Sequence, residues 1–547
     1  MLRPPSYLAD LRIDVSSSHS RTCCRLEGAR ERESYRTQTR VEFPLSPLLF
    51  NLVADVFSRM LMKAANQNLI YGLMPQVIEG GIISLQYADD TLLFLENNLE
   101  KANNLKWLLI CFEQMSGMKI NYDKNDLLTM GLGEDEANCF AKVFCCKRSN
   151  FSIKYLGVPL HYMKLKRQDL QPIIDKIIKR ISRWKGRLLS YAGRLTLLKA
   201  CLASIPIYLL SVIKFPRWAI DMINSQMGHF LWNDSADHHK YHLANWQLVS
   251  QKKDVGGLGI PDMRSLNLAL LGSWIFRYQL NNNAIWRNIV DFKYKTEEPN
   301  VFCCPNVGTS PFWKGVLWAM QAAHMGIKWV IGDGRRIRFW EDLWIGNTSL
   351  AIAYWPLYII NEQQGKTVHE VWDGENLMLT FRRNVSANTM NLWWELYNLI
   401  ESTSLYEEED HILWSFTSTC KYSVQSLYAV VNHRGVVPQF VSSVWKITIP
   451  PRVQFFLWLL SKKRLLTRDN LAKRREVSDP PCMFCNVHET INHLFFECCV
   501  ARNIWLTISN VLGLDLGNCF ESVARFWIAN KRHMITNIIS SSVLWSI

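Results

Sequence analysis

The sequence predicts an α+β fold built from several domains, for which a chain of 547 residues is long enough. Two apolar runs, IISLQ and TLLFL, flank Tyr87-Ala88-Asp89-Asp90 and predict a β-hairpin. Apolar residues recur at helical spacing over 169–184. A Cys-x-x-Cys pair follows Pro480-Pro481 and indicates a small metal-binding helical domain.

The remaining elements follow from periodicity and from residues that stop helices. The residues after Arg40 predict a helix over 46–66, the hairpin over 82–96, and a helix over 99–116 that stops at Gly117. Short strands are expected around Ile120, Leu127 and Tyr155. Residues 195–215 are the longest apolar stretch, but Lys199 and Pro206 favour a buried helix pair, broken at Pro206, over a membrane span.

The paired carboxylates of Asp89 and Asp90 are the first candidate site. Adjacent acidic residues in a turn usually have no role beyond keeping a surface loop exposed to water. Continuous apolar runs on both sides are not typical of a solvated loop, and a hairpin would place both carboxylates at its tip. Carboxylate oxygens suit divalent cations such as Mg²⁺, and two such cations assist phosphoryl transfer.

Four further motifs accompany the hairpin in a fixed order: PLSPLLFNLVADVFSRML at 44–61, SGMKINYDKN at 116–125, YLGVPL at 155–160, and a helical segment at 184–216. Together with YADD they resemble the reverse transcriptases of plant non-LTR (LINE-type) retrotransposons, from about residue 40 nearly to the C-terminus. The resemblance implies an RNA-directed DNA polymerase with Mg²⁺ at Asp89 and Asp90. Lys124 would lie near the pyrophosphate leaving group, and an RNA template, a DNA primer and deoxynucleotides would be the partners.

Two features depart from this family. Its palm needs a further carboxylate from an earlier strand. The only aspartates before residue 40 are Asp10 and Asp14, in a stretch without a continuous apolar run. The segment 40–43 reads RVEF where the family has R-Q-G-D, so Glu42 brings like charge near a triphosphate. We therefore expect residues 1–39 to be a disordered leader that is unrelated to the family. We expect the chain as a whole to be a truncated enzyme with impaired catalysis. The alternatives are a non-enzymatic, zinc-containing nucleic-acid-binding remnant and an unstable pseudogene product.

A second cluster combines Cys482, Cys485, His493 and Cys498 in a spacing suited to a tetrahedral Zn²⁺ site. Cys499 and His488 are alternative ligands, and a metal-free region with buried thiols is the competing interpretation. Residues 444–505 resemble the zinc-binding domain at the C-terminal end of plant LINE-type reverse transcriptases, in which the metal is structural.

The formal net charge of +14 favours polyanionic partners, chiefly nucleic acid, with a membrane surface as the competing acidic partner. Without a secretory signal, we expect an intracellular protein, and the resemblance favours the nucleus over the cytoplasm.

Phosphate contacts, or merely solvated faces, are predicted at two basic patches: Arg335, Arg336 and Arg338 beside Trp340, and Lys462, Lys463 and Arg464.

The expected domain order combines these interpretations. It comprises the leader at 1–39, a partial right-hand polymerase palm at 40–160, a helical thumb-like region at 161–290, a mixed Trp-rich connecting region at 291–440, a small zinc-binding helical domain at 441–510, and a tail at 511–547.

Overall fold

A computed structural model describes residues 8–16, 46–88, 90–122, 125–149, 153–160, 165–184, 188–232, 241–280, 284–295, 301–303, 308–383, 387–433, 439–476, 481–528 and 531–547. The chain divides into two compact units, residues 1–162 with 281–296 and residues 163–280 with 297–547. The mixture of helices and small sheets confirms the predicted α+β class.

The first unit contains a sheet and the helices that cover it. Its elements are β1 (Leu8–Ser16), α1 (Ser46–Asn66), β2 (Ser84–Tyr87), β3 (Asp90–Leu95), α2 (Leu99–Ser116), β4 (Lys119–Ile120), β5 (Asp126–Met130), α3 (Glu134–Phe144), β6 (Lys147–Arg148), β7 (Ile153–Tyr155) and β8 (Val158–Leu160). The strand order is β2-β3-β1-β5-β6, β4 pairs with β1, and β7 pairs with β8. All these pairs are antiparallel except β5 with β6.

One face of the sheet packs against the helices to form the core. Leu93 and Leu95 of β3 and Leu127 of β5 belong to a cluster with Leu61 of α1 and Leu109 of α2. Each of these side chains is at most 3% exposed, and burial of apolar area on this scale is the main stabilising term. The core therefore fixes which face of β3 points inward.

The strand β1 contradicts the expectation of a disordered leader over residues 8–16, and the rest of the predicted leader, 1–7 and 17–39, lies outside the described residues. Leu8–Ser16 pairs with β3 on one side and β5 on the other, at the centre of the sheet. The sequence LADLRIDVS alternates apolar and polar residues, which is the period of a strand with two different faces. A continuous apolar run, which the expectation required, is typical only of strands buried on both faces.

The ends of α2 show why the sequence predicted this helix correctly. The Asn98 side chain accepts hydrogen bonds from the backbone N–H groups of Glu100 and Lys101. Gly117 adopts a left-handed conformation with φ 70°, and its N–H donates to the carbonyl of Glu113. The predicted bounds of α1 and α2 are confirmed.

The second unit is mainly helical. Its elements up to residue 280 are α4 (Arg167–Ser182), α5 (Tyr191–Leu197), α6 (Ile207–Leu210), α7 (Arg217–Trp232), α8 (Trp246–Val249) and α9 (Met263–Leu280). A π-helical turn over Leu198–Leu202 precedes Pro206, which confirms the predicted break. The next helix, α10 (Ile285–Tyr294), belongs to the first unit.

The rest of the second unit contains α11 (Pro311–Ala323), β9 (Ile327–Val330), α12 (Leu350–Ala353), α13 (Trp355–Tyr358), α14 (Val368–Val371), α15 (Ala387–Glu401), β10 (His411–Trp414), α16 (Val424–Val431), α17 (Gln439–Ser443), α18 (Pro451–Ser461), α19 (Arg468–Ala472), α20 (Cys499–Leu512), α21 (Phe520–Ile528) and α22 (Met534–Ser546). The strands β9 and β10 pair antiparallel. Among the described residues, no helix combines the length and the apolar character needed to span a bilayer.

Candidate functional site

The predicted hairpin is confirmed at β2 and β3. Tyr87 and Asp90 face each other across the end of the two strands, so a two-residue turn joins them. Ala88 in this turn has φ 51°, as two-residue hairpin turns require. Asp90 is half-buried and Tyr87 is 64% exposed. The predicted site residues Asp89 and Lys124 lie outside the described residues.

The structure adds Asp14 to this hairpin. In the antiparallel pair of β1 and β3, Asp14 is directly opposite Asp90, Ile13 is opposite Thr91, and Leu11 is opposite Leu93. Because Leu93 faces the core, residues 14 and 90 belong to the other face of the sheet. Directly opposed residues of antiparallel strands have Cα atoms roughly 4.5–5.5 Å apart. The sequence interpretation missed Asp14, although the alternation in LADLRIDVS was the signal that identifies its strand.

The same face carries other charged positions of the central strands. Asp10 is opposite Phe94, and Arg12 is opposite Asp126 of β5. The Asp126 carboxylate accepts a hydrogen bond of 2.6 Å from the Ser149 hydroxyl. Asp14 therefore differs from Asp10, because only Asp14 is directly opposite a residue at the tip of the hairpin.

The Cys/His cluster forms a second candidate site, within the second unit. The ligand atoms of Cys482, Cys485, His493 and Cys498 all lie within 4.8 Å of one another. The Sγ atom of Cys498 is 3.9 Å from Cys482 Sγ and 4.0 Å from Cys485 Sγ, and Cys485 Sγ is 3.0 Å from His493 Nε2. Zn–S bonds of about 2.3 Å in a tetrahedron place sulfur atoms roughly 3.8 Å apart. The donor set and its spacing fit a tetrahedral metal ion.

A tight turn presents the first two cysteines of this cluster. The Cys482 N–H donates to the Val487 carbonyl at 2.7 Å, and the Asn486 N–H donates to the Cys482 carbonyl at 3.0 Å. Asn486 closes the turn with φ 53°, a conformation that Asn tolerates better than most residues. His493 begins a π-helical turn over His493–Glu497.

The last cysteine caps a helix. Cys498 directly precedes α20 and occupies its N-cap position. Cys482 and Cys498 are 1% exposed and His493 is 5% exposed, whereas Cys499 is exposed. Neither Cys499 nor His488 belongs to the described cluster, so the predicted ligand set is favoured over both alternatives.

The basic patch around Trp340 is largely neutralised by acidic neighbours. Arg335 lies 3.9 Å from Asp333, Arg336 lies 2.8 Å from Glu409, and Arg338 lies 3.3 Å from Asp342. Trp340 is fully buried, and its Nε1–H donates to Asn361. This tryptophan therefore packs in the core and is not available for stacking on a base.

The second basic patch lies at the end of α18. Lys462 is half-buried, and its pKa is lowered by burial. Lys463 and Arg464 are exposed. The three residues follow the last turn of α18 and do not form part of a helix. A role of either patch in nucleic-acid binding stays a prediction.

Comparison with known proteins assigns both candidate sites to domains. Residues 9–160 match the family model "Reverse transcriptase (RNA-dependent DNA polymerase)", and residues 422–505 match "zinc-binding in reverse transcriptase". The chain carries a reverse transcriptase-like domain and a reverse-transcriptase zinc-binding domain. The match to the reverse transcriptase model begins at residue 9, within β1, whereas the sequence motifs indicated a resemblance from about residue 40.

Two plant proteins are similar to the chain. One, from Arabidopsis thaliana and provisionally named a ribonuclease H protein, is 26% identical over 364 residues, which cover 64% of this chain and 57% of the relative. The other, an uncharacterized mitochondrial protein of the same plant, is 28% identical over 145 residues, which cover 26% of this chain and 93% of that protein. The chain thus spans little more than half of the first relative.

Proposed function

We propose that the first unit is the palm of an RNA-directed DNA polymerase from a plant non-LTR retrotransposon. The register of Asp14 opposite Asp90 carries this proposal, because it supplies the earlier carboxylate that the sequence interpretation had considered missing. Asp89 precedes Asp90 in the chain, so we assign the metal-binding role to Asp14, Asp89 and Asp90. The chemistry of this set fits, since hard divalent cations prefer carboxylate oxygens.

The residues of the palm have separate roles in this proposal. Bound Mg²⁺ would supply Lewis-acid stabilisation of the charge that develops during phosphoryl transfer. Asp14 and Asp90 occupy directly opposed register positions on adjacent strands, and the core beneath β3 keeps those strands in place. Lys124, proposed from the NYDKN motif alone, would place a positive charge near the pyrophosphate leaving group.

The second unit is proposed to hold nucleic acid and to carry a structural Zn²⁺ on Cys482, Cys485, His493 and Cys498. Residues 163–280 would act as a thumb-like region and residues 297–440 as a connecting region. The partners would be an RNA template, a DNA primer and deoxynucleotides, and the nucleus would be the site of action. The two basic patches, at Arg335–Arg338 and at Lys462–Arg464, would contact phosphates in addition.

A non-enzymatic nucleic-acid-binding role is the second candidate. It is favoured by Glu42 and Phe43, which replace the glycine and aspartate expected before the PLSP motif. The like charge of Glu42 would repel an incoming triphosphate. Binding without polymerisation would then depend on the positive charge and decrease steeply with salt.

Primer extension on a homopolymer RNA template, with Mg²⁺ and then Mn²⁺, distinguishes the two functions. The expected result is extension by the wild-type chain and none by Asp90→Asn. No extension from protein that unfolds in one cooperative transition and contains stoichiometric zinc would contradict the polymerase function. Salt-dependent oligonucleotide binding by that same protein would then support the non-enzymatic alternative.

A further inference from the structure

A large cleft lies within the second unit, and its lining includes none of the residues of the Cys/His cluster. Its volume is about 1340 Å³, and α7, the start of α9 and the segment 242–250 form most of its lining. Small-molecule pockets typically measure about 300–1,000 Å³. The size therefore favours a segment of a polymer over a single small ligand.

The lining is rich in positive charge. It contains five cationic residues and two carboxylates: Lys214, Arg217, Arg264, Arg464 and Arg474, with Asp221 and Asp262. Both carboxylates already have partners. Asp221 lies 3.6 Å from Arg217, and Asp262 accepts hydrogen bonds of 2.8 Å and 2.7 Å from the backbone and hydroxyl of Ser265.

The other four cations of the lining have no carboxylate partner within the described structure. Among the described residues, no carboxylate forms an ion pair with Lys214, Arg264, Arg464 or Arg474. The pKa of Lys214 is lowered by burial and by the neighbouring charge of Arg264. An anion in the cleft would relieve this repulsion, and phosphate is the group that guanidinium binds with matching geometry.

Aromatic and hydrogen-bonding groups line the same cleft. Lys214 Nζ lies 4.7 Å above the Trp318 ring, and Trp246 is a second indole in the lining. Within the described structure, Asn224 Oδ1 and Trp246 Nε1 are buried without a hydrogen-bond partner. A buried donor or acceptor without a partner is unfavourable, so a ligand that parts these side chains and satisfies both groups would be stabilised.

We propose that this cleft binds a segment of single-stranded nucleic acid, with Lys214 and Arg264 on phosphates and with Asn224 and Trp246 on the edge of one unstacked base. Cations that follow the backbone beside aromatic rings are the usual design for single strands, whose bases are free to leave the stack. The inference rests on the proposed nucleic-acid function for the class of ligand. It requires neither Asp14 nor Asp90, so it stands or falls independently of polymerisation.

The phosphate contact is tested with a labelled 12-nucleotide oligo(U) and the full chain, by fluorescence anisotropy over a series of salt concentrations. Arg264→Gln is expected to weaken binding about tenfold at low salt and to reduce the slope of log K against log salt by about 0.7. The matched control is Arg277→Gln on the same helix α9, which lies roughly 20 Å along the helix axis from Arg264 and outside the lining. Equal affinities and slopes for the two variants would overturn the proposal.

The base contact is tested with Trp246→Phe, which keeps an aromatic ring and removes the N–H group. Because phenylalanine is smaller than tryptophan, the melting temperature should fall slightly, so binding is compared on protein shown to be folded. A merely structural role predicts equal losses of affinity for oligo(U) and for an abasic strand. Affinity for oligo(U) should fall severalfold, while affinity for an abasic strand of equal length should stay unchanged. A wild-type chain that binds the abasic strand as tightly as oligo(U) would overturn the assignment and identify a site for polyanions in general.

Loss of primer extension in Asp90→Asn, with oligo(U) affinity retained, would separate this site from the polymerase centre.

Discussion

Asp14 and Asp90 are directly opposite each other in the antiparallel pair of β1 and β3. Residues 76 positions apart in the chain thereby meet on one face of the first unit's sheet, at the end where the YADD hairpin turns. This relationship is the structural reason to treat the chain as a candidate polymerase and not only as a binding protein.

Asp14→Asn should reduce primer extension about a thousandfold, because a metal ligand contributes several kcal/mol to stabilisation of the transition state. Asp10→Asn is the matched control, since Asp10 belongs to the same face of β1 but is opposite Phe94. Initial rates of extension with saturating template check the prediction. Equal losses in both variants would indicate a general effect on the strand and not a metal ligand.

Cys498→Ser should abolish zinc binding and destabilise the C-terminal part of the chain by on the order of 3 kcal/mol, a fraction of the binding free energy of a structural zinc. Cys499→Ser provides the control, because its thiol is adjacent in the chain but exposed and outside the cluster. Metal content by mass spectrometry and thermal melts with and without chelator measure both effects. Zinc retained by Cys498→Ser, but lost from Cys499→Ser, would show that the ligand set is wrong.

Gly117→Ala should destabilise the first unit by about 1 kcal/mol, because alanine is strained at the left-handed end of α2. A Cβ atom at this position would meet nothing within 4 Å, so the cost is conformational and not steric. Gly133 also has open space around it but a negative φ of −66°, so Gly133→Ala should cost only a few tenths of a kcal/mol. Urea unfolding of both variants measures the difference, and equal midpoints would contradict the conformational explanation.

Lys199 should make stability depend on pH in the alkaline range. Burial, with a smaller contribution from Lys253, lowers its pKa from 10.5 to about 8. The unfolded chain then binds more protons than the folded chain between these values, so stability rises as pH increases from about 8 to 10.5. Lys199→Met should stabilise the protein at pH 7 by on the order of 1 kcal/mol, after allowance for solvent screening of this partly exposed group.

The gain from Lys199→Met should shrink as pH rises from 8 to 10.5 and disappear above 10.5, where both states of the wild type carry a neutral amine. Lys176→Met on α4, where the side chain is exposed, serves as the control. Chemical unfolding at pH 7 and at pH 9.5 provides the comparison. A gain that is independent of pH would assign the effect to apolar packing.

The sequence predicted the elements whose signals are local. Asn98 and Gly117 mark the ends of α2, and the Ala88-Asp89 turn between two apolar runs marks the hairpin. The ligands Cys482 and Cys485 share one turn, and His493 and Cys498 follow within 13 residues of Cys485, so their clustering was also predictable.

The features that the sequence interpretation missed depend on distant pairing. The strand β1 is stabilised by β3 and β5, which come much later in the chain, and its alternation was overlooked in a polar, Ser- and Arg-rich context. The ion pair that neutralises Arg336 likewise depends on tertiary structure. Arg336 meets Glu409, a residue 73 positions away, and no local pattern indicates that contact.

The central position of β1 has a consequence for how the sheet folds. Residues 8–16 leave the ribosome well before both of their neighbouring strands, which are made only from residue 90 onward. Closing these long loops is slow, and until then β3 and β5 present unpaired edges that can pair with other chains. A fragment that begins at residue 40 would keep these edges permanently, and we expect it to aggregate even though it contains the entire YADD hairpin.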